Sequence, residues 1–441
     1  MTKQGAQRPM KGSGVPWLGQ VPAEWTVKPL WSMYHPKKET GYPKETLLSV
    51  YRDYGVIEKS SRDDNRNRES EDLSGYQLVV SGDLVTNKMK TWQGSIAVSD
   101  IQGIVSPAYY VYRKLHSGNN TYFHNLFRSL PYITGYNSIS KGIRVGQWDL
   151  EADKFRLFPV LIPPREEQDA IVAHLDHATT RIDALVTKKT HFIELLREKR
   201  QALITRTVTR GLDPEVPMKD SGVAWLGQVP AHWQVPMLRR IVATFEQGWS
   251  PDCHSHPKSG EGWGVVKAGC VNGGFFDANQ NKAIPDLLAP RPELELKHGD
   301  ILMSRASGSP TLIGSVAQLD RPPARLMLSD KIFRLRLNTS FSASYFVWLM
   351  ASFSLRAQIE LAISGADGLA NNLAQAKIKE FRVTAPPPSE QDAISRFLDL
   401  STTRIDTLIA KTERSIELLR EKRIALITAA VTGKLDLRKA A

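Results

Sequence analysis

Through two long stretches of this 441-residue chain apolar side chains return every three or four positions, whereas elsewhere they come in short alternating runs broken by Gly, Pro, Asn and Asp. The first stretch, residues 164–213, steps by four and three through Ile171, Leu175, Ile182, Leu185, Phe192, Leu196 and Leu203. The second, residues 387–436, steps through Ile394, Leu398, Ile405, Leu408, Leu419 and Leu426, with polar residues on the intervening steps at Ser401, Thr412, Ser415 and Lys422, as at Lys189 and Lys199 in the first. That spacing is the seam of a coiled coil and predicts two long helices. Prolines stand before each stretch, and Gly211 and Gly433 stand at the ends, which gives both helices matching start and stop signals. Some forty residues at 1.5 Å each make a rod of roughly 60 Å, the length of a spacer.

The two stretches are also copies of one another. Gln168 matches Gln391, Arg181 matches Arg404 and Glu198 matches Glu421, each pair 223 apart with no insertion between them. A second signature repeats at an offset of 208: KGSGVPWLGQVPAEW from Lys11 returns as KDSGVAWLGQVPAHW from Lys219. The chain therefore reads as a tandem duplication of a Trp-rich lead-in, a globular domain and a long helix. Tyr76–Leu115 alternates strands with turns, Tyr122–Leu130 reads as a helix, and Phe155–Pro164 enters the rod as a strand. In the second copy, GDILMSRASGSPTLIGSVA from Gly299 takes the place of GDLVTNKMKTWQGSIAVS from Gly82, with the same order of turns and different letters. The predicted class is α+β, with β-rich domains over residues 1–163 and 214–386 and helices over 164–213 and 387–441. A frame that persists while its loops change suits recognition of two different targets.

Charge sharpens this picture. The net charge is +12, and the first 163 residues hold 21 basic against 15 acidic side chains while the helices are close to neutral. A positive field on the globular parts suits a polyanion such as nucleic acid. Two cysteines, Cys253 and Cys270, fit a reducing compartment, and the chain has neither a signal-like start nor a membrane-length apolar run, so it reads as cytoplasmic. No phosphate loop, dinucleotide fingerprint, nucleophile elbow or HExxH metal motif is written in the sequence, and the Cys253, His254, His256 and Cys270 group lacks a zinc spacing. The expectation is a non-catalytic chain with no metal of its own. Donor-rich loops stand out instead: Arg62, Asn65, Arg66 and Arg68 in one, Asn87, Lys88 and Lys90 after a Gly-Asp turn, and in the second domain Lys267, Asn272, Ser304, Arg305 and Ser307. Arg and Lys can bond guanine O6 and N7, Asn can bond adenine N6 and N7, and remaining cations can sit on phosphates.

Taken together, the Trp-Leu-Gly lead-in, the IPPREEQ and APPPSEQ helix entries and the LLREKR helices, all present twice, resemble the specificity subunit of type I restriction-modification systems. LSVYRDYGV with NKMKTWQGS is similar to a widespread version of that family's target recognition domain. The resemblance implies two such domains joined by an antiparallel coiled coil, reading a split site on double-stranded DNA while two modification subunits and the restriction subunits dock. It also implies that S-adenosylmethionine and Mg-ATP chemistry belong to those partners. Helices of equal length packed antiparallel predict half-sites on the order of one to two DNA turns apart. A scaffold whose globular ends bind proteins is the competing reading, and it predicts little salt dependence of DNA association.

Overall fold

The computed structural model describes residues 8–62, 70–144, 147–364 and 371–437. It forms two compact units, Met1–Thr190 with Arg414–Ala441, and His191–Glu413. The first unit thus joins the beginning of the chain to its end.

That unit opens with the hairpin Met10–Gly12 and Gln20–Pro22. Its central sheet comprises β1 (Tyr34–Lys37), β2 (Leu84–Asn87), β3 (Ile96–Val98) and β4 (Tyr109–Lys114), antiparallel in the order β1-β4-β2-β3. Leu84, Ile96 and Val98 belong to one buried cluster and Val85, Ala97 and Val111 to another, so the alternation of side chains along each strand covers both faces of the sheet. Two helices, α1 (Asn120–Phe127) and α2 (Leu130–Ser138), close the larger cluster through Tyr122, Phe123, Leu126, Phe127, Tyr132 and Tyr136. Asn119 starts α1 by accepting the Thr121 and Tyr122 N–H groups on its side-chain oxygen. A hairpin, Ser140–Arg144 with Gln147–Leu150, follows, and Pro159–Ile162 pairs back with Thr26–Pro29 before the chain enters the long helix α3 (Arg165–Arg210).

The second unit repeats the plan. Strands β5 (Val242–Gln247), β6 (Ile301–Ser304), β7 (Val316–Gln318) and β8 (Ile332–Leu337) lie in the order β5-β8-β6-β7, and α4 (Ala343–Met350) and α5 (Phe353–Ala362) pack on them. A hairpin, Ile363–Ser364 with Asn371–Leu373, precedes the second long helix, α6 (Pro388–Val431). A further three-stranded sheet, Gly264–Val266, Asn281–Ala283 and Leu326–Met327, has a core of its own, where the first unit has the hairpin Leu48–Tyr51 with Gly55–Glu58 beside the pair Gln77–Val79 and Gly103–Val105.

Within each unit the start of one long helix packs antiparallel on the end of the other. Ile171 and Leu175 share a core with Ala430 and Val431, and Ile204 and Val208 share one with Ile394 and Leu398. Asp183 accepts from Arg423 Nε at 3.0 Å, and Asp406 accepts from Arg200 Nε at 2.9 Å. These are one ion pair written twice, since Arg423 and Asp406 lie 223 positions beyond Arg200 and Asp183.

The seam itself departs from the strict heptad predicted from the sequence. Phe192 is 42% exposed while its neighbour Ile193 is 6% exposed, and Leu185 and Leu408 are likewise outside the seam. Ile171, Leu175, Ile182, Leu196, Ile394 and Leu398 are buried as expected, and Leu203, Ile405, Leu419 and Leu426 are half-buried. The burial follows an eleven-residue period instead: Ile171, Ile182, Ile193 and Ile204 in α3, and Ile394, Ile405, Ile416 and Ile427 in α6. Eleven residues in three turns is 3.67 per turn, next to the helix's own 3.6, so these helices need little supercoiling and none of the left-handed kind a heptad imposes.

The repeated Glu-Gln helix entry is a clasp. Gln168 accepts the Asn119 N–H on Oε1 and donates from Nε2 to the Pro163 carbonyl, while Gln391 does the same with the Ser342 N–H and the Pro386 carbonyl. The glutamates one residue earlier receive the lead-in indoles, Trp25 Nε1 on Glu167 at 2.7 Å and Trp233 Nε1 on Glu390 at 2.9 Å. Tyr122 donates to the Val431 carbonyl and Tyr345 to that of Val208, which latches each domain to the tail of the other long helix. Gly433 ends α6 at a φ of 73°, and a Cβ there would meet Pro22 at 2.3 Å, so both the turn and the fit beneath the lead-in require glycine.

Candidate nucleic-acid interface

In both sheets the second strand in sequence ends at a residue whose successor is basic. Lys88 follows β2 and Arg305 follows β6. Each stands six residues after the glycine of a Gly-Asp pair, and they occupy one structural position. Lys88 N–H donates to the Ala108 carbonyl and Arg305 N–H to the Lys331 carbonyl, and the carbonyls of Lys88 and Arg305 receive the N–H groups of Leu150 and Leu373 from the hairpin in each domain. Lys88 Nζ donates to the Pro107 carbonyl at 2.8 Å and lies 4.6 Å from the Tyr110 ring centroid. Arg305 Nη1 donates to the Asp330 carbonyl at 3.4 Å and its guanidinium lies 5.3 Å from the Phe333 centroid. Register makes the rings equivalent: Tyr110 pairs with Thr86 and Phe333 with Met303, one residue before the strand end in each case. Each cation is thus held by a carbonyl and an aromatic face.

The remaining sequence-predicted residues divide by surroundings. Asn87 ends β2 and its side-chain oxygen accepts the Met89 N–H, leaving the amide NH2 for an outside acceptor. Lys90 is exposed, and the loop it opens carries Trp92, whose ring lies 5.7 Å from that of Trp148 on the hairpin. Arg62 lies over the rings of Tyr51 and Tyr54, at 5.4 and 4.7 Å. Asn65, Arg66 and Arg68 lie outside the described residues. In the second domain Asn272 is exposed between two short helical turns, while Lys267 and Ser307 are half-buried and Ser307 Oγ accepts the Ser309 N–H. Ser304 is a correction: it is the last residue of β6 and fully buried, so its hydroxyl cannot reach a ligand.

Sequence reasoning missed the hairpins. Asn372 accepts from Arg305 Nε at 3.2 Å, and Trp148 packs at a tilt against Trp92, so both hairpins help to hold the candidate surface. The only signal for them was position, since each comes after the α1-α2 or α4-α5 pair. Among the described residues no group of three or more His, Cys, Asp or Glu could hold a metal ion. His254 and His256 stack on each other at 5.1 Å, and burial pushes the Cys270 thiol up to about 12, which keeps it protonated and a poor ligand. No described helix is long and apolar enough to cross a membrane.

Comparisons with known proteins agree with this architecture. Residues 258–418 match the family described as the type I restriction modification DNA specificity domain. The EcoKI specificity subunit of Escherichia coli (strain K12) is 21% identical over 445 residues, covering 95% of this chain and 90% of that subunit. The Escherichia coli EcoEI specificity subunit is 26% identical over 201 residues, which are 45% of this chain and 33% of its own length. A chain from a structural study of complex assembly and conformational transition in a type I R-M system superposes over 94% of this chain and 99% of its own, with a TM-score of 0.70 at 15% identity. The HsdS subunit from Thermoanaerobacter tengcongensis covers 94% and 98% with a TM-score of 0.52 at 17% identity.

Proposed function

We propose, from the premise that this chain belongs to the specificity-subunit family of type I restriction-modification systems, that it is the sequence-reading, non-catalytic member of such a complex. Each globular domain reads one half of a bipartite, asymmetric site on double-stranded DNA. Modification and restriction subunits dock on the assembly and hold the S-adenosylmethionine and the Mg-ATP.

The observation that carries this reading is the equivalence of Lys88 and Arg305, two cations set over aromatic rings at one position of a duplicated frame whose surrounding loops have diverged. A pair of protein-binding ends would have no use for two cations placed so alike. Phosphates or base edges do, and the divergence around them supplies two different specificities.

The test is domain replacement. Exchanging residues 219–386 for the corresponding domain of a relative and reading the methylated sites at base resolution, with the modification partner present, should change one half-site only. A change in both halves, or in neither, refutes the reading.

A further inference from the structure

Beside β4 in the first unit lies a cleft of about 750 Å³. Its origin is in the edge strands. β1 pairs with β4 only as far as Lys37 opposite Val111, which leaves Tyr109 and Tyr110 without a strand on that side. In the second unit β5 continues to Gln247 opposite Phe333, Gln247 Nε2 donates to the Asp330 carbonyl, and Phe245 packs edge-on against Phe333 at 5.9 Å. By register Pro36 occupies the place of Phe245, and the smaller ring leaves room.

The walls of the cleft are of two kinds. Trp31, 48% exposed, and the rings of Tyr109 and Tyr110 offer planar apolar faces. Lys38, Lys88 and Arg156 bring positive charge, with His35 and Lys37 nearby and Asp153 the one acidic residue of the lining. Lys37 is committed to the buried Asp83 at 3.2 Å, so the cations left for a ligand are Lys38, Lys88 and Arg156. Flat aromatic faces beside cations in a space of this size match one nucleotide, with its base against the rings and its phosphate on the lysines and arginine.

We propose that this cleft binds a single unstacked nucleotide. Its source is either a free nucleotide or a nucleotide displaced from a nucleic-acid strand. The cleft shares Lys88 with the duplex reading, but Trp31 and Arg156 belong to the cleft alone, so variants at those two residues separate the proposal from that reading.

The experiment titrates the full-length chain with adenosine 5′-monophosphate, with thymidine 5′-monophosphate and with a short single-stranded oligonucleotide, and measures heat of binding. Trp31→Ala and Arg156→Glu serve as variants, since both residues are exposed and lie outside the strand-end loops. Binding of the mononucleotides that weakens roughly tenfold or more in each variant supports the free-nucleotide source. Binding of the oligonucleotide alone, lost in the same variants, supports the displaced nucleotide. Absence of both, or equal affinity in wild type and variants whose duplex binding is retained, overturns the proposal.

Discussion

Arg305 reaches outward with only part of its guanidinium, because Nε is given to Asn372 and Nη1 to the Asp330 carbonyl. Replacing it tests a single contact on a rigid mount. Arg305→Ala should weaken methylation of one half-site by roughly tenfold or more and leave the other unchanged, and Lys88→Ala should do the reverse, read by methylation of half-site variants. The phosphate share of those contacts should make duplex affinity fall steeply as salt rises, which a binding isotherm series will show. His116 offers a different test. Its ring packs against Tyr34 and Phe123 and its Nδ1 accepts the Gly118 N–H, and burial together with Lys114 pulls its pKa down to about 4. The unfolded chain binds the proton more readily, so this contribution to stability is complete above about pH 6.5 and is lost as pH falls toward 4. Discounted for partial exposure, the loss is on the order of 1–2 kcal/mol. Thermal melts of His116→Asn between those pH values should show a flatter dependence than wild type.

At the scale of elements, the seam and the clasp make opposite demands on neighbouring residues. Ile193→Ala should cost about 2–4 kcal/mol because it opens a cavity at a buried position, while Phe192→Ala, one residue away and exposed, should stay within about 1 kcal/mol. Chemical denaturation of the two variants distinguishes the eleven-residue period from a heptad. Much of this was legible beforehand: the long helices, their ends and the duplication follow from spacing and repeated letters. A heptad and an eleven-residue repeat share their first steps, Ile171, Leu175 and Ile182, and separate only where Leu185 and Val186 are both apolar. The strand-end cations were legible as residues of corresponding turns, since each stands six residues after the glycine of a Gly-Asp pair, but the carbonyl and ring that hold each were not, because they lie some twenty residues or more downstream. Ser304 was misread because the chain stays extended past it: β6 runs to Ser304, and the short strand Ala306–Ser307 follows before the chain bends. Gln391→Ala removes the acceptor for the Ser342 N–H and should cost about 1–3 kcal/mol in a melt of the second unit.

For the whole molecule, the duplication reaches down to single bonds. Tyr122 with Val431 and Tyr345 with Val208 are one latch, and Asp183 with Arg423 and Asp406 with Arg200 are one bridge, each related by 223 positions. Residues 1–213 alone therefore carry a tyrosine, a valine carbonyl, an aspartate and an arginine that complete each other only across two copies. That fragment should sediment as a dimer, and Asp183→Arg, which sets like charges against Arg200 of the mate, should return it to a monomer.

The latch between each domain and the far end of the other long helix has a genetic consequence. If each domain reads one half-site as proposed, a stop codon after the first α-helical rod should not abolish the protein but let it mate with itself, and its site should turn from an asymmetric word into a palindrome.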